Sequence, residues 1–202
     1  MNDRNKREIN YLENKISEVS YNPNRFKLMI GEDKFLFGVI SGNSSKAPLG
    51  KLMEYKTIYD TLLDLDWKIN LSLNESIKFA YSDPAQKNFS PFKAESNEEK
   101  LAYYYAENAL FRTSILWDML AQLYRLFYNI KIPNNQVYYK QIFSPSSDYC
   151  DKFEEKATEI YNYIKQDDNT CCEDWKGNHK FANDLRNKMT HRNSPNVSVM
   201  SD

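Results

Sequence analysis

A chain of 202 residues, 41% hydrophobic and with only five glycines, can bury a sizeable core and is too apolar to be a disordered polymer. Its formal net charge of -1 excludes a protein whose whole surface is an electrostatic footprint for nucleic acid, though a local basic patch stays open to it.

Ile9, Leu12, Ile16 and Val19 fall at i, i+3, i+7 and i+10, which predicts an N-terminal helix with one apolar stripe. Asn22-Pro23-Asn24 stops it. Phe26 to Ile30 and Lys34 to Ile40, rich in aromatic and branched residues around Gly31-Glu32-Asp33, read as a β-hairpin, and Ser41 to Gly50 as a loop. Tyr55, Ile58, Tyr59, Leu62, Leu65, Ile69, Leu73, Ile77 and Ala80 keep helical spacing until Asp83-Pro84. Residues 84 to 95 read as irregular. Ser96-x-x-Glu99 is a capping box for a second long helix reaching about Asn129, ahead of Pro133.

Asp148 to Gln166 carries a fourth helix on Tyr149, Phe153, Ala157, Ile160, Tyr161 and Ile164. Asp174 to Arg192 carries a fifth, ended by Ser194-Pro195, with a frayed tail from Asn196. The expected fold is therefore all-α: a bundle of about four to five helices over 55–202, forming one compact unit, with a helix-plus-hairpin appendage over 1–54. No stretch approaches the roughly 18 apolar residues of a membrane span. Met1-Asn2-Asp3-Arg4 shows no apolar leader run, and Cys150, Cys171 and Cys172 are an odd set that fits reduced thiols. A cytoplasmic protein without membrane contact is expected.

The chemistry concentrates on the last helix. Arg186-Asn187-Lys188-Met189-Thr190-His191 places a strong base five residues before one of only two histidines. Arginine grips phosphate with a planar fork of donors, and histidine moves protons near neutral pH. The local charge changes sign there: Asp148, Asp151, Glu154, Glu155, Glu159, Asp167, Asp168, Glu173 and Asp174 precede Lys176, Lys180, Arg186, Lys188 and Arg192. On a helical wheel Phe181, Ala182, Leu185 and Met189 cluster within about 100° as the buried stripe. Arg186 with Thr190 and Asn187 with His191 then form i, i+4 pairs on a polar face opposite the core. Two such helices across a two-fold axis would bring the pairs together.

Asn108 and Arg112 sit within the apolar stripe of the second long helix, among Leu101, Tyr105, Ile115, Leu116, Met119 and Leu123. A charge there needs an acid partner in the bundle or a polar cavity shared with the hexapeptide. Glu107, Ser114, Asp118 and Arg125 take the opposite face, open to solvent or a partner. Tyr103-Tyr104-Tyr105 and Tyr138-Tyr139 are read as packing residues rather than a base-stacking platform, because consecutive helix positions diverge. No Gly-rich phosphate loop, serine elbow or His-Glu-x-x-His is present. A zinc site can be drawn from Cys171, Cys172 and His179, but adjacent cysteines are not a zinc knuckle, and no metal is expected. His179 has no motif partner.

The hexapeptide, on the last helix of an all-α bundle, resembles the Arg-x(4–6)-His signature of the HEPN superfamily, in its form with Asn directly after the Arg. The helix over residues 107–122, Glu-Asn-Ala-Leu-Phe-Arg-Thr-Ser-Ile-Leu-Trp-Asp-Met-Leu-Ala-Gln, resembles that of a clostridial-type branch. Together the resemblance covers roughly residues 55 to 192 and leaves out the N-terminal helix and hairpin. It implies a homodimer through the C-terminal signature helix and a metal-independent, cofactor-free endoribonuclease of toxin–antitoxin or phage-defence type, with RNA and a cognate antitoxin as partners. By the same resemblance Arg186 binds the scissile phosphate, His191 is general acid or base, and Asn187 orients the cleft. Thr190, Arg112 and Asn108 support that cleft, and Lys188 and Arg192 hold the RNA backbone. The product carries a 2′,3′-cyclic phosphate. The alternative is a non-catalytic HEPN-like dimer binding RNA, a nucleotide or a protein, and a third reading is a purely structural helical dimer.

Overall fold

The computed structural model describes residues 3–18, 28–30, 33–36, 39–41, 49–88, 94–145, 154–166 and 178–191. They form helices α1 (Asp3–Glu18), α2 (Leu49–Ala80), α3 (Asp83–Asn88), α4 (Asn97–Phe127), α5 (Tyr139–Ile142), α6 (Glu154–Lys165) and α7 (Asn178–His191), with a 3-10 turn at Asn134–Gln136. Three short strands, β1 (Leu28–Ile30), β2 (Asp33–Leu36) and β3 (Val39–Ser41), pair antiparallel in the order β1-β2-β3. The protein is mostly helical. Its two compact units are Met1–Thr113 and Ser114–Asp202, with α4 running from one into the other. Among the described residues no helix is long and apolar enough to cross a membrane.

In the first unit α1 presents half-buried Ile9, Leu12 and Ile16, the spacing of a single stripe. It is tied down at its polar edge, where Tyr81 Oη donates to Glu8 Oε2 at 3.0 Å and Asn5 Nδ2 donates to Gln86 Oε1 at 3.2 Å. The stretch from Lys34 to Ile40, expected as one strand, holds parts of two, β2 and β3, with Leu36 and Val39 as register partners. α2 begins at Leu49, so the loop expected over 41–50 gives up its last two residues to the helix. Tyr55, Tyr59, Leu62 and Leu65 form its buried face.

Residues 84–88 are helical rather than irregular. Proline lacks an N–H that a first helical turn does not use, so Pro84 ends one helix and is accommodated in the first turn of the next. The Ser82 carbonyl accepts from Gln86 N at 3.0 Å and opens α3. The capping box of α4 forms as the spacing requires: Glu99 N donates to Ser96 Oγ at 3.2 Å, and Ser96 N donates back to Glu99 Oε2. α4 meets α2 through Ser76 Oγ, which donates to the Ala102 carbonyl at 2.9 Å, and through the parallel rings of Phe79 and Tyr105.

The second unit is built on the C-terminal half of α4. That helix stops at Asn129, whose φ of 53° is left-handed. Ile130 N bonds back to Arg125 O at 2.9 Å and Asn129 N to Leu126 O, a Schellman closure in which Asn tolerates the left-handed position. The reversal folds 130–143 against α4. Ala121, Ile130, Ile132, Val137, Tyr139, Ile142, Phe143 and Ala157 form the core, with Ile142 and Phe143 its largest fully buried side chains. The fourth expected helix is observed as α6 and the fifth as α7. Their expected first turns, Cys150, Cys171, Cys172, Arg192 and the tail from Asn196 lie outside the described residues.

Candidate functional site

α7 half-buries three residues of its expected stripe, Ala182, Leu185 and Met189, while the fourth, Phe181, is 58% exposed. His179 is buried, and Arg186 and Asn187 on the polar side are half-buried as well. Arg186, expected opposite the core, turns inward. Its Nη1 donates to Ser114 Oγ of α4 at 2.6 Å, and its Nη2 donates to Asn187 Oδ1 at 2.8 Å. Two bonds to a planar guanidinium fix both the position and the plane of the fork.

Asp118, one turn beyond Ser114 on α4, stands close enough to Arg186 for mutual attraction. Burial nevertheless holds its carboxyl above the ordinary range. A hydrogen bond from Tyr139 N at 3.5 Å and the Arg186 charge pull the other way. Tyr139 opens α5, the single turn whose Ile142 is fully buried, and its phenol is likewise pushed up by burial.

His179 completes the cluster. Its ring meets the rings of Trp117 and Tyr139 edge-on, with centroids 4.9 and 5.5 Å away. Burial depresses its pKa, and the charges of Lys140 and Arg186 depress it further against a hydrogen bond to the main chain of Ile164. His179 also lines a cavity of about 510 Å³, together with residues of α5, α6 and α7 and Phe143 and Ser144 after α5.

Of the expected site residues, Arg186 and Asn187 are thus brought together, and Lys188 is exposed on α7. His191 is the last residue of α7, and the side chains of Thr190 and His191 lie outside the described residues, as does Arg192. Asn108 and Arg112 belong to the first unit. Among the described residues Arg112 finds its partners on its own helix rather than an acid of the bundle. Its Nη1 donates to the Asn108 carbonyl and to Asn108 Oδ1 at 3.1 and 2.9 Å. Ser114 and Asp118, expected to face solvent or a partner, instead line the Arg186 site, and His179 is enclosed by aromatic rings. Among the described residues no group of three or more His, Cys, Asp and Glu is placed to hold a metal ion. No protein-family model, curated protein or solved structure matches the chain.

Proposed function

We propose that the chain is a HEPN-like, metal-independent endoribonuclease of a toxin–antitoxin or phage-defence system, working as a homodimer through α7. The observation that supports this most is the clamp on Arg186: Ser114 and Asn187 orient its fork on the same helix that ends at His191. Asn187 is the orienting residue of that clamp. A scissile phosphate would gain from a guanidinium held in place before it binds, since the ordering cost of a long side chain is met in advance.

In the proposed reaction the RNA 2′-hydroxyl gives up its proton and its oxygen bonds to phosphorus. The bond from phosphorus to the 5′-oxygen breaks, and that oxygen takes a proton. His191 performs one or both proton transfers, Arg186 balances the charge building on the phosphoryl oxygens, and Lys188 and Arg192 hold the flanking backbone. Pairing α7 across a two-fold axis would supply two such sets, one for each proton.

The test is incubation of the full chain with total RNA and a tRNA pool in EDTA, beside Arg186→Ala and His191→Ala. Cleavage by the native protein alone, leaving 2′,3′-cyclic phosphate ends, is expected. Intact RNA in every lane, from dimers of confirmed fold, refutes catalysis. The inward turn of Arg186 favours one second reading, a non-catalytic HEPN-like dimer that binds RNA, a nucleotide or a protein. That reading predicts RNA retention without new ends.

A further inference from the structure

The flank of α4 beside its buried face is apolar and open. Leu101, Tyr104 and Phe111 are 38%, 58% and 37% exposed. With Asn108 they follow one another at steps of three, four and three, the a/d spacing of a heptad. Ala102 and Ala109, one position further along, are buried, and the Ala102 carbonyl takes the bond from Ser76 of α2. The stripe therefore lies about 100° round α4 from the face that meets α2. All of these residues belong to the first unit. Large side chains left open at heptad spacing are what one strand of a two-stranded coiled coil shows before it pairs.

The polar residues of the stripe fit the same partner. Asn108 Nδ2 donates to the Tyr104 carbonyl at 2.7 Å, and Asn108 Oδ1 accepts from Arg112 at 2.9 Å. An amide has two N–H groups and two lone pairs, so one of each stays for a partner. A single Asn at an a position meets its own copy across a parallel pair and disfavours other registers. Glu107 stands at g and Arg112 at e, five positions on, the offset at which g of one strand meets e of its parallel neighbour. Among the described residues Glu107 takes part in no ion pair. Arg112 bonds through Nη1 to Asn108, which leaves Nε and Nη2 to meet a carboxylate. An antiparallel pair sets g against g and would bring two Glu107 carboxylates together.

We propose that α4 pairs in parallel with α4 of a second copy of this chain across a two-fold axis. Leu101, Tyr104, Asn108 and Phe111 form the seam, and Glu107 bridges to Arg112 of the second copy. Symmetry gives two such bridges and one reciprocal Asn108 pair in each dimer. The seam spans about two heptads, short for free peptides, but α4 is a helix of 31 residues folded before it pairs. A contact of this kind lies at the small end of specific interfaces, so association at about micromolar concentration is expected. The contact is separate from α7 and stands whether or not the ribonuclease reading does.

The test is sedimentation equilibrium of the full chain from about 1 to about 100 μM, where the native protein is expected to gain mass. Tyr104→Lys and Phe111→Lys should each weaken this association by about tenfold or more, because each puts a cation into the seam. Glu107→Lys should weaken it by about threefold to tenfold, and adding Arg112→Glu should restore it to within about threefold. Asn108→Cys, combined with Cys150→Ser, Cys171→Ser and Cys172→Ser, should give a disulfide-linked dimer on oxidation, since an antiparallel seam sets a against d. A mass that Tyr104→Lys and Phe111→Lys leave unchanged at every concentration overturns the proposal. Failure of Arg112→Glu to reverse Glu107→Lys, or absence of the disulfide, overturns the parallel pairing and the proposal with it. Loss of urea stability in Tyr104→Lys below the associating concentrations would show the stripe covered by its own chain, and overturns it as well.

Discussion

Ser114→Ala isolates the bond on which the Arg186 clamp depends. At 2.6 Å between a hydroxyl and a guanidinium it is a short, charge-assisted hydrogen bond. Bonds to charged groups contribute about 1.5–3 kcal/mol, and the solvent reaching a half-buried pair puts this one near 1.5 kcal/mol. Alanine is the better helix former by about 0.5 kcal/mol, which offsets part of the loss. The net destabilisation expected is about 1 kcal/mol, or roughly 2–4 °C in a chain of this size. Because propensity and cavity effects contaminate a single substitution, the sharper measurement is a double-mutant cycle with Arg186→Met, followed by urea unfolding. There the propensity terms cancel, and the coupling energy should be about 1.5 kcal/mol. A coupling below about 0.3 kcal/mol would show that the two groups do not hold each other in solution, and the pre-oriented fork would go with it.

Burial of His179 makes a pH prediction. Its folded pKa is depressed, so below its ordinary value near 6.5 the unfolded chain binds a proton that the folded chain refuses. Stability carried by the neutral ring should be complete above that value and fall as pH drops below it. His179→Phe should flatten the slope of urea midpoints across roughly pH 5 to 7, and an unchanged slope would contradict the burial argument. Phe143→Ala removes a side chain only 1% exposed and should cost about 3–5 kcal/mol in the same assay. Ser96→Ala breaks the capping box of α4 and should cost about 1 kcal/mol by urea unfolding.

Elements whose signal is local could be read from residue order alone. The capping box at Ser96 and Glu99 depends on a spacing of three, and Pro84 marks a helix boundary wherever it stands. The left-handed stop at Asn129 fell where the apolar period ran out. What the polar side of α7 meets was not legible, because Tyr139 lies 40 positions from His179 and Ser114 lies 72 from Arg186. Ala182, Leu185 and Met189 of the apolar face are half-buried, but Arg186 also reaches Ser114 and His179 enters the rings of Trp117 and Tyr139, which the apolar period does not announce. A signal was present: Ser114 and Asp118 are i, i+4 on one face of α4, an unusual pair of small polar residues beside Trp117. Periodicity treats such a face as solvent, since it counts apolar residues and not the hydrogen bonds that let polar ones be buried. His179 was invisible for a related reason: its setting is made of rings from two other helices, Trp117 of α4 and Tyr139 of α5, and no sequence neighbour.

Whether Arg186 is kept for stability or for chemistry is decided by asymmetry. A cation enclosed in a helical unit carries a desolvation cost, and an apolar side chain of similar length often replaces it with no loss of stability. Removing one partner of a buried pair is different, because it strands the other. Arg186→Met leaves two neutral partners, Ser114 and Asn187, without its fork, and Asp118 keeps the hydrogen bond from Tyr139 N. Asp118 is already raised above its ordinary value by burial, with Arg186 opposing the rise. Without Arg186 its folded pKa climbs further, so the folded state holds a proton that the unfolded carboxylate releases. The resulting stability is present at low pH and lost as pH rises. Arg186→Met should therefore lie within about 1 kcal/mol of the native chain near pH 5.5 and lose more near pH 8, as read from urea midpoints at the two values. RNA cleavage or retention should fail at both. A loss of about 3 kcal/mol or more at pH 5.5 would make Arg186 a structural strut and remove the physical ground for giving it a phosphate.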